Sequence, residues 1–133
     1  MAGVSRNEKK FGNVLFKELI KKQYDVLPIN PEAEVIDGVK CFKNIAELPS
    51  DVDRLLIVTP KKKTDQVLQE AIRKGIKYIW IQQACETPET AEIAKEHNIE
   101  IIFGKCFYMF ADPVAGFHKF HRTITKIFGG LPR

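Results

Sequence analysis

The sequence predicts an α/β fold: a three-layer sandwich in which helices cover both faces of a mainly parallel, five-stranded sheet. Three observations point there. First, β-branched and apolar runs alternate with segments of helical spacing along the chain. Second, the clearest run, Asp53-Arg54-Leu55-Leu56-Ile57-Val58-Thr59, is apolar at successive positions, the pattern of a strand covered on both sides. Third, the chain opens with a short apolar stretch broken at Gly3, then a polar turn, then a helical pattern. A strand that stops at glycine and feeds a helix is how a βαβ unit begins.

Taken in order, Met1 to Val4 is the first strand, short beside the usual five or six residues. Either the native chain begins upstream or this strand is simply short. Phe11 to Gln23 follows as a helix, with Phe11, Val14, Leu15, Leu19 and Ile20 at helical spacing. Tyr24 to Asn30 reads as the second strand, ended by Pro31. Glu32 to Asn44 is a long polar connection, and Ile45 to Leu48 one helical turn. The run at 53–59, bounded by Asp53 and Pro60, is the third strand. Thr64 is placed to cap a helix carrying Val67, Leu68, Ala71 and Ile72, which Gly75 closes. Lys77 to Gln82 is the fourth strand. Thr87-Pro88-Glu89 supplies a cap, a first-position proline and an early acid for the next helix. Ile99 to Phe103 is the fifth strand and Ala115 to Phe128 the last helix. Right-handed crossovers between such elements give a Rossmann-like sheet, with ligand at the carboxyl ends of the strands near the topological switch point.

Composition bounds the class. With 133 residues, 44% hydrophobic and 29% charged, the chain is expected to form a single globular domain over 1–133. No apolar run approaches the roughly 20 residues that span a bilayer, and the N-terminal pattern is amphipathic, unlike a signal peptide. Cys41, Cys85 and Cys106 are dispersed, without C-x-x-C spacing, which suits reduced thiols and a cytoplasmic setting. The net charge of +4 favours anionic ligands without specifying nucleic acid.

The most informative segment is Gly3 to Asn13. Unpaired backbone N–H groups at a helix start face outward, and the helix dipole favours negative charge, so the loop suits a phosphate. It departs from the dinucleotide fingerprint G-x-G-x-x-G, since Gly3-Val4-Ser5 is followed by a glycine only at Gly12. The acid that holds ribose hydroxyls in NAD sites is displaced as well: the second strand ends in Asn30-Pro31, with Glu32 beyond. A Walker loop is excluded, because no G-K-[ST] occurs.

Four segments carry a family resemblance: Gly3-Val-Ser-Arg-Asn with Phe11-Gly12, Pro28-Ile-Asn-Pro31, Ile57-Val-Thr-Pro60 and Trp80-Ile-Gln-Gln83. Together with Gly104-Lys-Cys106 through Met109, they resemble the small stand-alone CoA-binding proteins. The fold of those proteins is similar to the CoA-binding domain of the succinyl-CoA synthetase alpha subunit. The resemblance implies coenzyme A as ligand, its phosphates held by Gly3, Val4, Ser5, Arg6 and Asn7 with Gly12. Asn30 and Pro31 would flank the adenosine, Thr59 and Pro60 would border the nucleotide or pantetheine, and Gln82 and Gln83 would lie further along the same edge. The synthetase-type domain carries a lysine shortly after its second-strand proline, where this chain has Glu32-Ala33. The charge facing the CoA 3′-phosphate then falls to Arg6, Lys9, Lys10 or Lys40.

Other readings stand beside these. The loop is also compatible with a tight strand–helix turn that holds nothing. Lys61-Lys62-Lys63 is a solvated run that adds positive field to the ligand edge. His118 and His121 are spaced as a helical pair, yet the stripe Phe117, Phe120, Ile124, Ile127 and Phe128 argues for packing rather than a metal site. Cys85 and Cys106 follow strands: each is either a packing cysteine or a thiol placed to exchange with the sulfur of CoA. The expected function is thus CoA or acyl-CoA binding without catalytic residues of its own, alone or with a protein partner or second copy. The rivals are an NAD(P)-binding redox or regulatory protein and a thiol-dependent acyl-CoA enzyme.

Overall fold

In the computed structural model, residues 1–107 are described. The elements run α1 (Phe11–Lys21), β1 (Val35–Ile36), β2 (Val39–Lys40), a 3-10 turn (Ile45–Glu47), β3 (Arg54–Ile57), α2 (Lys61–Lys74), β4 (Tyr78–Gln82), α3 (Thr90–His97) and β5 (Glu100–Lys105). The expected helix at 115–128, with His118 and His121, lies outside the described residues, as does the segment from Tyr108 to Met109.

Where five sheet strands are expected, three form a ladder: β3, β4 and β5, in that order and parallel. The first two segments contribute single parallel bridges instead, Ala2 to Ile57 on one side and Ala2 to Ile29 on the other. Ala2 donates its N–H to the Leu56 carbonyl (2.8 Å) and accepts from Val58 (2.9 Å), while Met1 accepts from Ile29 (2.9 Å). The first segment stops pairing because Gly3 turns to φ +92°, out of the extended region. The second is interrupted by Pro28, which has no N–H to give. Its far side bridges Phe42. Spatially the order is therefore Phe42, Ile29, Ala2, β3, β4, β5. The chain leaves Ala2 in one direction to reach Ile29 and in the other to reach β3, so the switch point lies between Ala2 and β3.

Adjacent strand residues face opposite layers. Leu55, Ile57, Ile79 and Ile81 pack with Leu68 and Ala71 of α2, whereas Leu56, Trp80 and Ile102 pack with Leu15, Phe16 and Leu19 of α1. This division is the three-layer arrangement. Trp80 fills the α1 side, its indole N–H donating to the Lys105 carbonyl (3.2 Å) and its ring edge-on to Phe107 (4.9 Å).

Several boundaries differ from the sequence expectation, each for a local reason. The buried arc of α1 is Gly12, Asn13, Leu15, Phe16 and Leu19, leaving Phe11, Val14 and Ile20 exposed. Helix α2 starts at Lys61, three residues before the expected cap. Thr64 lies inside it, fully buried, with its hydroxyl 2.9 Å from the Thr59 hydroxyl and 3.3 Å from the Pro60 carbonyl. Helix α3 starts only at Thr90, because Thr87 and Thr90 close a turn first, Thr87 N–H donating to Thr90 Oγ1 (2.9 Å). Their hydroxyls bind Asp65 of α2, which ties α3 to its neighbour. The connection at 32–44 contains a hairpin: β1 pairs antiparallel with β2, and Asp37 and Gly38 both take positive φ (50° and 78°) at its tip. Gly75 closes α2 in the left-handed region, as expected.

Candidate phosphate-binding loop

The site is built on the close approach of three backbones at the switch point. A Cβ on Gly3 would collide with the Val58 carbonyl at the end of β3, and one on Gly12 would collide with the Gly3 carbonyl. Both positions therefore need glycine for contact, and Gly3 needs it also for φ. Gly12 brings the first turn of α1 against the end of the first segment. The loop 3–12 is pinned between them.

Two asparagines then orient the loop. Asn30 donates from Nδ2 to the Val4 carbonyl (2.9 Å), and Asn13 donates from Nδ2 to the Ser5 carbonyl (2.7 Å). In a trans peptide the C=O and the following N–H point opposite ways. Tying the Val4 and Ser5 carbonyls toward the protein thus turns the N–H groups of Ser5 and Arg6 away from it, and neither has a partner among the described residues. Successive outward N–H groups form an anion-binding concavity. Further along, Ser5 Oγ accepts from Asn7 N–H (3.0 Å), Asn7 Oδ1 accepts from Lys9 N–H (3.0 Å), and the Asn7 carbonyl accepts from Lys10 N–H (3.1 Å). These bonds keep the turn compact before α1 begins. Lys10 stands at the cap position with extended backbone and no side-chain cap. Arg6, Asn7, Lys9 and Lys10 are exposed.

The other candidate residues fall into two groups. Asn30 belongs with the loop: its Oδ1 also accepts from Glu32 N–H (2.8 Å), so the amide clasps the loop to the second segment. Glu32 in turn reaches Arg6 across 3.3 Å. Pro31 and Pro60 are exposed at the ends of their segments. Thr59 lies beside Gly3, but its hydroxyl is turned inward to Thr64. Lys40 sits on β2 with its ammonium 5.3 Å from the Phe42 ring centre, and no hydrogen bond or ion pair among the described residues joins it to the loop. Gln82, Gln83 and Cys106 cluster with one another at the ends of β4 and β5. Gln82 is buried, accepting at Oε1 from Phe107 N–H (2.9 Å); Gln83 N–H donates to the Lys105 carbonyl (3.1 Å); Cys106 is half-buried.

Burial pushes the Cys85 thiol above its ordinary pKa, reinforced by Glu86 and opposed by Lys61. Cys41 is raised for the same first reason, against a hydrogen bond to the Asn30 backbone. Both are poor thiolates at neutral pH. No group of three metal-ligating side chains occurs among the described residues, and no helix there is long and apolar enough to cross a membrane. A separate cavity of about 690 Å³ opens at the amino ends of the strands. Its charged side chains are Asp25, Asp51, Asp53 and Arg54, the last already paired with Asp53 at 2.7 Å, an electrostatic setting that disfavours an anion.

Comparison with known proteins shows the family. The family model described as a CoA binding domain matches residues 1–112. The chain belongs to the CoA-binding domain family. It is 37% identical over 117 residues to the alpha subunit of an ADP-forming acetate–CoA ligase from Pyrococcus furiosus, covering 78% of this chain and 25% of that subunit. Against the ADP-forming acetate–CoA ligase of Methanocaldococcus jannaschii it is 34% identical over 112 residues, covering 78% of this chain and 16% of the ligase. The chain thus spans a quarter or less of the length of these ligases. Among solved structures, a conserved hypothetical protein from Pyrococcus furiosus superposes with a TM-score of 0.80 at 37% identity, covering 83% of this chain and 95% of that one.

Proposed function

We propose that this chain binds CoA or an acyl-CoA at the carboxyl edge of the sheet, with the diphosphate on the Val4 to Asn7 loop. The observation that carries the reading is the pair of carboxamides, Asn30 and Asn13, holding successive carbonyls inward so that the Ser5 and Arg6 N–H groups face out. Asn30 and Pro31 border the adenosine, Thr59 and Pro60 the start of the pantetheine. The arm then runs toward Gln82, Gln83 and Cys106. Arg6 supplies charge for the 3′-phosphate, since its exposed pairing with Glu32 is cheap to exchange.

In this reading the domain binds and presents CoA, and chemistry on the thioester belongs to other polypeptide. The relative named as an alpha subunit supports a protein partner as part of the assembly. Calorimetry with CoA and with NAD tests the proposal. CoA is expected to bind and NAD to bind more weakly or not at all; no heat from CoA at high micromolar concentration, with NAD binding, refutes it. Ser5→Asp should weaken CoA by about tenfold or more, because a carboxylate placed against a phosphate opposes it at close range.

A further inference from the structure

The hairpin tip joins the loop through Asn13, a side chain that touches no ligand in the reading above. Asn13 lies on α1, 1% exposed, and its Nδ2 group faces two acceptors: the Ser5 carbonyl at 2.7 Å and Asp37 Oδ2 at 3.5 Å. With both acceptors on the amino side of the amide, Oδ1 is turned the other way, where it is buried without a partner among the described residues. An unsatisfied buried acceptor carries a desolvation cost. The inverted amide would set Oδ1 against a carbonyl and a carboxylate, which is worse, so Asp37 helps select the orientation that serves Ser5. The same carboxylate lies 3.8 Å from Lys17 Nζ, and Lys17 pairs at 3.1 Å with Glu8 further along the loop. Asp37 therefore touches both halves of the loop's support.

We infer that Asp37, on the hairpin tip, is a positioning residue for anion binding. It orients the Asn13 amide, which fixes the Ser5 carbonyl and so the outward aim of the Arg6 N–H. The binding part of this inference rests on the CoA reading; the orienting part does not.

Asp37→Gly is the test, because glycine takes the positive φ of the tip and keeps the turn while removing the acceptor that faces Asn13. The sign of the effect separates positioning from simple charge. Removing a carboxylate near an anion site should tighten CoA binding if Asp37 acts only through its field. If it positions the loop, binding weakens by about threefold to tenfold, the range of one lost hydrogen bond. In the ligand-free protein, the Ser5 and Arg6 amide resonances should shift and exchange faster with solvent, while the thermal midpoint stays within a degree or two. Unchanged or tighter CoA binding overturns the inference, as do unmoved Ser5 and Arg6 resonances. Should the unsubstituted protein bind no CoA, the CoA reading fails by itself, and the ligand-free resonances alone decide whether Asp37 orients the loop.

Discussion

Replacing Gly12 with alanine sets two effects against each other. Helix propensity favours the change: alanine over glycine in a helix is worth about 0.5–1 kcal/mol, less in the first turn where Gly12 stands. Packing opposes it. The new methyl would overlap the Gly3 carbonyl, and that carbonyl cannot swing aside, because Gly3 sits at φ +92° against the Val58 backbone. Overpacking against rigid surroundings costs about 1–3 kcal/mol, so the net expectation is a loss of roughly 1–2 kcal/mol, or about 4–8 °C in the thermal midpoint for a domain of this size. Relief comes from sliding α1 outward, which drags Asn13 from the Ser5 carbonyl and spoils the outward N–H groups. CoA affinity should then fall by about tenfold, since hydrogen bonds to charged groups are worth about 1.5–3 kcal/mol each. Thermal melts and CoA calorimetry measure both. Gly75→Ala is the control: a Cβ there meets nothing within 4 Å, so its cost of about 1–2 kcal/mol comes from positive φ alone and leaves CoA binding intact. If Gly12→Ala melts at or above the native midpoint and binds CoA normally, the claimed contact between α1 and the loop is wrong.

Three further outcomes are expected. Dephospho-CoA should bind more weakly than CoA, and Arg6→Gln should narrow the gap; equal binding of the two ligands to the native protein would show that no basic group meets the 3′-phosphate. Asp65→Ala should destabilise by about 1–3 kcal/mol, because it strips acceptors from the Thr87 and Thr90 hydroxyls, and an unchanged melt would remove Asp65 as the tie between α2 and α3. With CoA disulfide at neutral pH, Cys106 should form the mixed disulfide before Cys85, whose raised pKa keeps it protonated; adduct formation at Cys85 should then grow as pH climbs past the ordinary thiol range. Peptide mass analysis of the native protein and Cys106→Ser reads this, and a CoA adduct surviving in Cys106→Ser at neutral pH counts against it.

How far the chain could be read from its residues depended on the range of the deciding contact. The strand at 54–57 and the cap at Gly75 follow from short-range pattern and backbone sterics, and both stand where expected. The hairpin at 35–40 was also signalled locally, by Asp37-Gly38 between Val35-Ile36 and Val39, but polar neighbours masked it as a connection. Thr64 misled for a tertiary reason. A threonine before an apolar run is a good cap, yet this hydroxyl is satisfied inside the helix by Thr59 and Pro60, which releases the three lysines to form the first turn.

The candidate site divides along the same line. Gly3 and Gly12 could be singled out because glycine at a strand–helix junction has few other uses. Asn13 could not: asparagine within a helix is a weak helix former, and its contribution depends on the Ser5 carbonyl eight residues earlier and a carboxylate twenty-four residues later. For Asn30 the sequence shows a place at the end of the second segment but not that both ends of its amide are used within the protein, on Val4 and Glu32. The loop's N–H groups are what local sequence can show. What aims them comes from two distant carboxamides, and one of those has its own buried oxygen without a partner among the described residues. An apolar side chain of similar size would spare that cost but would leave the Ser5 carbonyl without its donor. The amide at position 13 is thus tied to the Ser5 carbonyl, and the direction of that carbonyl sets the direction of the Arg6 N–H.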